Sequence, residues 1–170
     1  MRPTLHLLVG LPGSGKTTLA RRLEAEHRAL RLTPDEWMQP LFGEGEAGGK
    51  RWVLESELLW GVAARVLGLG VGVVLDFGLW AREERDDFRA RGEALGARVE
   101  LVWLDLPRED LWRRLEARNG TRPPGTFAIT RAELDGWWDL FQRPGADELG
   151  QGGWRILGHD PASSERAHPD

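Results

Sequence analysis

Short apolar runs alternate with longer amphipathic ones along this chain. Residues 5–9, 29–32 and 71–76 are compact apolar stretches, and 98–105 carries Val99, Leu101 and Val102. Each reads as a strand, and 71–76 is apolar on both faces, as strands buried between two layers are. The segments between them have helical spacing. Residues 17–28 place Leu19, Ala20 and Leu23 on one face, and 51–67 do the same with Leu54, Leu58, Leu59 and Val62. Residues 81–95 form a charged helix that Gly96 ends, and another helix runs from Pro107 to about Arg118. Thr33, Pro34 and Glu36 form a helix-start signature: N-cap, first-turn proline and capping-box acid. Thr130 and Glu133 repeat the capping box before Leu134, Trp137, Trp138 and Phe141. Residues 43–49 and 119–127 are loops rich in glycine or proline. Residues 154–157 read as a fifth strand. Strands alternating with helices predict an α/β fold, a parallel sheet flanked by helices. In such sheets ligands bind beyond the carboxyl ends of the strands. The residues that follow each strand are therefore the candidates for chemistry.

Composition narrows the class without naming it. The 170 residues show no repeat and no internal boundary, so residues 1–158 are expected to form a single domain and 159–170 a polar tail. Cysteine is absent, which excludes disulfides and thiolate metal sites. No apolar run is long enough to span a membrane, and Arg2 and Pro3 lead straight into the first strand without a leader. A cytoplasmic protein is expected. The net charge of −4 argues against a broad nucleic-acid surface. Nine tryptophans invite a base-stacking role, but Trp52, Trp60, Trp103 and Trp137 fall at apolar positions that predict core.

Residues 10–17 fit the pattern G-x-x-x-x-G-K-[ST], a Walker A phosphate loop, with Gly10, Gly15, Lys16 and Thr17 at the fixed places. A strand precedes it and a helix follows. Backbone N–H groups of Gly10, Leu11, Pro12, Gly13, Ser14, Gly15, Lys16, Thr17 and Thr18, proline excepted as a donor, form a candidate phosphate cradle at a helix start. Lys16 would reach the terminal phosphates and Thr17 would hold magnesium, so ATP and Mg²⁺ are the expected ligands.

The other strand ends supply the remaining candidates. Asp35 lies just past the second strand, where a carboxylate could orient an acceptor hydroxyl as general base, or could simply favour the helix dipole. Asp76 ends the third strand, as a Walker-B-type magnesium aspartate or as a substrate-binding carboxylate. Arg82 and Arg85 share one side of a helix opening and could bind an anionic substrate, pair with Asp76, or face solvent. Arg118 and Arg122, with Arg113 and Arg114 nearby, flank the 119–127 loop and suit a lid that neutralises charge in phosphoryl transfer. Trp37 and Trp80, each beside a candidate acid, could line an acceptor pocket.

Together the phosphate loop, the stretch from Thr33 to Met38, the stretch from Leu75 to Arg85 and residues 111–119 resemble a family of small P-loop kinases. Its members are often called AAA family ATPases and are related to zeta toxins, chloramphenicol phosphotransferase and polynucleotide kinases. The resemblance covers about residues 4–148. It implies an adenylate-kinase-like P-loop NTPase core with a five-stranded sheet in the order 2-3-1-4-5 and a lid. It also implies ATP and magnesium, a hydroxyl-directed aspartate at Asp35, and lid arginines at Arg118 and Arg122. It does not imply a motor, since the small helical second domain of AAA+ proteins is missing. The expected activity is transfer of the γ-phosphate of ATP to a hydroxyl of a small-molecule acceptor. A 5′-hydroxyl polynucleotide kinase and an ATP-gated switch without an acceptor are the alternatives. With lysine only at 16 and 50, the guanine-reading motif N-K-x-D is absent.

Overall fold

A computed structural model describes residues 2–157. The polar tail expected at 159–170 lies outside the described residues. Five parallel strands make one sheet: β1 (Thr4–Val9), β2 (Leu30–Leu32), β3 (Val73–Gly78), β4 (Arg98–Asp105) and β5 (Gly153–Leu157), in the order β2-β3-β1-β4-β5. The helices are α1 (Lys16–His27), α2 (Pro34–Phe42), α3 (Lys50–Val53), α4 (Trp60–Gly68), α5 (Arg82–Ala94), α6 (Arg108–Thr121), α7 (Arg131–Leu140) and α8 (Ala146–Gly150). The central strands β1 and β3 are almost wholly buried, with Leu5, Leu7, Leu8, Val73, Val74 and Leu75 at zero exposure. Burial on both faces is what their unbroken apolar runs require. Because the strands are parallel, the ends of β1, β2 and β3 open on the same side. A hydrogen bond from Gly10 N to the Gly78 carbonyl, 3.0 Å long, joins the ends of β1 and β3.

The helix expected at 51–67 is interrupted. Leu54–Leu59 is π-helical, and α3 and α4 flank it. The wider turn rotates the inward face by one residue, so Leu54 and Leu59 both point to the core, followed by Ala63 and Leu67. Leu58 and Val62, assigned to the core face by regular spacing, are exposed instead, and Trp52 is 49% exposed rather than core. The same rotation buries the polar residues Glu55 and Ser56.

Two local expectations also differ. Thr33 occupies the N-cap of α2, but its hydroxyl makes no cap bond and donates to Asp76, while Glu36 pairs with Arg31. The capping box at Thr130 does form, with Glu133 accepting from the Thr130 N–H at 2.7 Å. Helix α6 runs on to Thr121, so the following loop starts only at Arg122.

Candidate active site

The phosphate loop is shaped by its glycines. Gly10, Gly13 and Gly15 all have positive φ, at 156°, 84° and 92°. A Cβ on Gly13 would meet Leu115 Cγ at 3.0 Å and the Leu111 carbonyl at 3.1 Å. Helix α6 thus presses the loop from below, and only a residue without a side chain fits. The loop opens on a cleft of about 420 Å³ at the strand ends. Lys16, Thr17, Thr33, Asp35, Asp76, Trp80, Arg114 and Arg118 line it, and residues 123–127 and Ile129 form its roof.

Lys16 is half-buried, and its Nζ donates to the Leu11 carbonyl at 2.9 Å. Burial lowers its pKa to about 8, against the opposing pull of Asp76 and Asp35. Thr17 Oγ1 donates to Asp76 Oδ2 at 2.7 Å, and Thr33 Oγ1 donates to the same oxygen at 3.0 Å. Burial pushes Asp76 up, while Lys16 and the two hydroxyls pull it back toward the charged form. A hydroxyl and a carboxylate oxygen converging beside a phosphate loop are the hard ligands magnesium prefers, so these residues fit the ion. Asp35 reaches the cleft from the first turn of α2 and accepts from Arg51 Nη1 at 2.6 Å. Arg118 enters from α6 and donates to the Phe127 carbonyl at 3.3 Å, while its Nε is buried without a hydrogen-bond partner.

Several sequence candidates stand elsewhere. Trp37 is 43% exposed and does not line the cleft, unlike Trp80, which packs on Trp137 with ring centroids 5.6 Å apart. Arg122 caps α6 in the left-handed conformation and also stays out of the lining. Arg82 points outward to Asp147 at 2.6 Å. Arg85 is 1% exposed and turned into the protein. Neither arginine meets the cleft, so neither is an anion ligand there. Instead Arg85 donates to Glu148 Oε1 at 2.7 Å and to the carbonyls of Leu79, Trp80 and Gln142. Leu79 has a positive φ of 45°, a strained conformation for leucine, and these bonds hold it and aim Trp80 at the cleft. Arg85→Ala would leave the Glu148 carboxylate buried without its partner. Unfolding by denaturant should then show a loss of about 3–5 kcal/mol. A loss no larger than that of a surface arginine would contradict this role.

Arg51, which the sequence offers only as a charge that could offset the acids near Asp35, lines the cleft and bonds Asp35 directly. Its Nε donates to Glu55 Oε1 at 2.9 Å. Burial drives the Glu55 pKa up to about 8, against the pull of Arg51, with Glu84 and Glu46 adding repulsion. The folded protein keeps this proton between about pH 4.5 and 8, where the unfolded chain has released it, so stability falls as pH rises through that window. Glu55→Gln cannot ionise. It should exceed the parent in stability above about pH 8, by on the order of 2–5 kcal/mol, and match it near about pH 4. Denaturant unfolding at both pH values checks this, and an equal difference at both would contradict it.

The strand order and the loop define a P-loop fold of the small-kinase type. The chain belongs to the AAA domain family, which matches residues 5–144. Among solved structures it is similar to a protein of Chloroflexus aurantiacus J-10-fl thought to be a kinase, with a TM-score of 0.74 and 21% identity over 97% of this chain and 93% of that one. It is also similar to a gluconokinase from Sinorhizobium meliloti 1021, with a TM-score of 0.63 and 16% identity over 92% and 83%. The Mycobacterium tuberculosis APS kinase CysC, solved with AMPPNP and APS, gives 0.60 and 22% over 84% of each chain. A search of curated proteins finds no match. No helix among the described residues is long and apolar enough to cross a membrane.

Proposed function

We propose that this protein is an ATP-dependent phosphotransferase that moves the γ-phosphate to a hydroxyl of a small molecule. One observation carries the reading: a single cleft brings the phosphate loop, the Thr17–Asp76 pair and the Asp35 carboxylate together. The kinase-type neighbours, one of them holding an ATP analogue, support it. In this reading the loop amides and Lys16 hold the β- and γ-phosphates. Thr17 and Asp76 would hold magnesium, which when bound neutralises charge on the phosphate oxygens. Asp35 orients the acceptor hydroxyl and accepts its proton as the oxygen–phosphorus bond forms. The bond between the γ-phosphorus and the bridging oxygen breaks, and ADP leaves. Arg118 and Arg114 neutralise charge that develops on the transferring group, with residues 123–127 shielding it from water.

A small acceptor is favoured over a polynucleotide by the charges at the acceptor end. Asp35 and Glu36 both line the cleft there, and the arginines beside them are already engaged, Arg51 by Asp35 and Glu55 and Arg31 by Glu36 and Glu24. Arg82 and Arg85, which could have offset those acids, are turned away and paired. A nucleic-acid chain needs several phosphate contacts, and its binding weakens steeply with salt as counterions are released. No labelling of a 5′-hydroxyl oligonucleotide by radiolabelled ATP is therefore expected at physiological salt, while small alcohols accept label. Efficient labelling of the oligonucleotide 5′ end, lost in Asp35→Asn, would replace this acceptor class and keep the kinase reading.

A further inference from the structure

We propose that Arg51 is the positioning residue for Asp35, holding the carboxylate in register with the phosphate loop. The inference rests on the reading of Asp35 as the acceptor-side base. Asp35 sits in the first turn of α2, and its side chain is 39% exposed. A carboxylate so placed rotates freely unless something holds it, and the bond from Arg51 at 2.6 Å does so. The guanidinium is itself immobilised. Nε donates to Glu55 at 2.9 Å, and Nη1 is shared between Asp35 and the Gly45 carbonyl at 3.2 Å. Three separate segments thus converge on one planar group: α2, the glycine loop and the π-helical turn.

The π turn is what makes the arrangement possible. It buries Glu55, giving Arg51 a fixed anchor on its own helix, one turn away. The guanidinium then points along a set direction toward Asp35, because its donors lie in one plane. The phosphate side is served by different cations, Lys16 from the loop and Arg114 and Arg118 from α6. Arg51 is thereby the cation committed to the acceptor-side carboxylate. A lysine at 51 would supply charge without the planar fork and would restore the effect only in part.

The test measures ADP release from magnesium-ATP with water as the acceptor, and nucleotide affinity separately. Arg51→Gln should slow release by on the order of 10–100-fold, as loss of orientation does, with ATP affinity unchanged. Arg51→Lys should recover part of the rate, and millimolar guanidinium should restore part of the rate to Arg51→Ala. In an Asp35→Asn background Arg51→Gln should cost nothing further, because the two act as one unit. The same cycle read on denaturant midpoints should also be non-additive. Full turnover in Arg51→Gln, an equal loss in both backgrounds, additive midpoints or weakened ATP binding would each overturn the proposal. If Asp35→Asn itself turns over at the parent rate, the reading of Asp35 fails first. If Asp35→Asn is inactive while Arg51→Gln is not, only the role of Arg51 falls.

Discussion

Lys16→Ala will abolish phosphate transfer and weaken ATP binding. The half-buried ammonium sits in the phosphate loop, where Asp76 and Asp35 are the opposing charges that act on it most. A partly desolvated cation at the β- and γ-phosphates stabilises transition-state charge more than a fully solvated one does, so at least about 10³-fold in turnover is expected to be lost. The same burial gives a pH signature. In the free protein the proton leaves Lys16 as pH rises through about 8. ATP affinity should therefore fall above that pH and hold below it, while Lys16→Ala should show no such step. Calorimetric titration of ATP across pH 7 to 9 reads both effects. Unchanged turnover in the variant would remove the phosphate loop from the chemistry.

Asp35→Asn should keep ATP affinity and lower acceptor phosphorylation by roughly 10²–10⁴-fold, the usual effect of a positioned base. Asparagine preserves shape and can still accept from Arg51, but it cannot take a proton. Asp35 does not touch Thr17 or Asp76 through any described bond. Its Oδ1 belongs to Arg51, in the acceptor half of the cleft. That separation is why nucleotide binding is expected to survive. Collapse of ATP binding in this variant would make Asp35 a metal ligand or a structural part of α2 instead.

The phosphate loop was legible in the sequence because its geometry is written locally. Three glycines within six residues permit the turn, and the strand and helix on either side are periodic. Asp76 was legible because an acid ending an apolar run stands at a strand's carboxyl end. The sheet order came from the family resemblance, since spacing alone sets no strand neighbours. Arg85 was misread because its partner, Glu148, lies 63 residues away on a helix too short to show periodicity. Trp37 was misread because adjacency to Asp35 in sequence is not adjacency in space. Trp37 is two residues on, about 200° round the helix, and so points to the opposite side, toward solvent. In the sequence Arg51 reads as the start of a long helix and as a charge that could offset the acids near Asp35, without a role in positioning it. Its role depends on a π turn that leaves no mark in the apolar spacing except the doubled Leu58 and Leu59. That pair was the available signal: in a continuous α-helix both leucines can share the core face, whereas here one is buried and one exposed.

The most direct test of the phosphotransferase reading is to follow label from γ-phosphate-labelled ATP into a panel of small alcohols, sugars and hydroxylated antibiotics, with mass spectrometry of the products. The structure predicts a phosphorylated acceptor formed one-for-one with ADP by the parent protein, and none by Lys16→Ala or Asp35→Asn. Tight ATP binding with label passing to no acceptor, or transfer undiminished in Asp35→Asn, would contradict it.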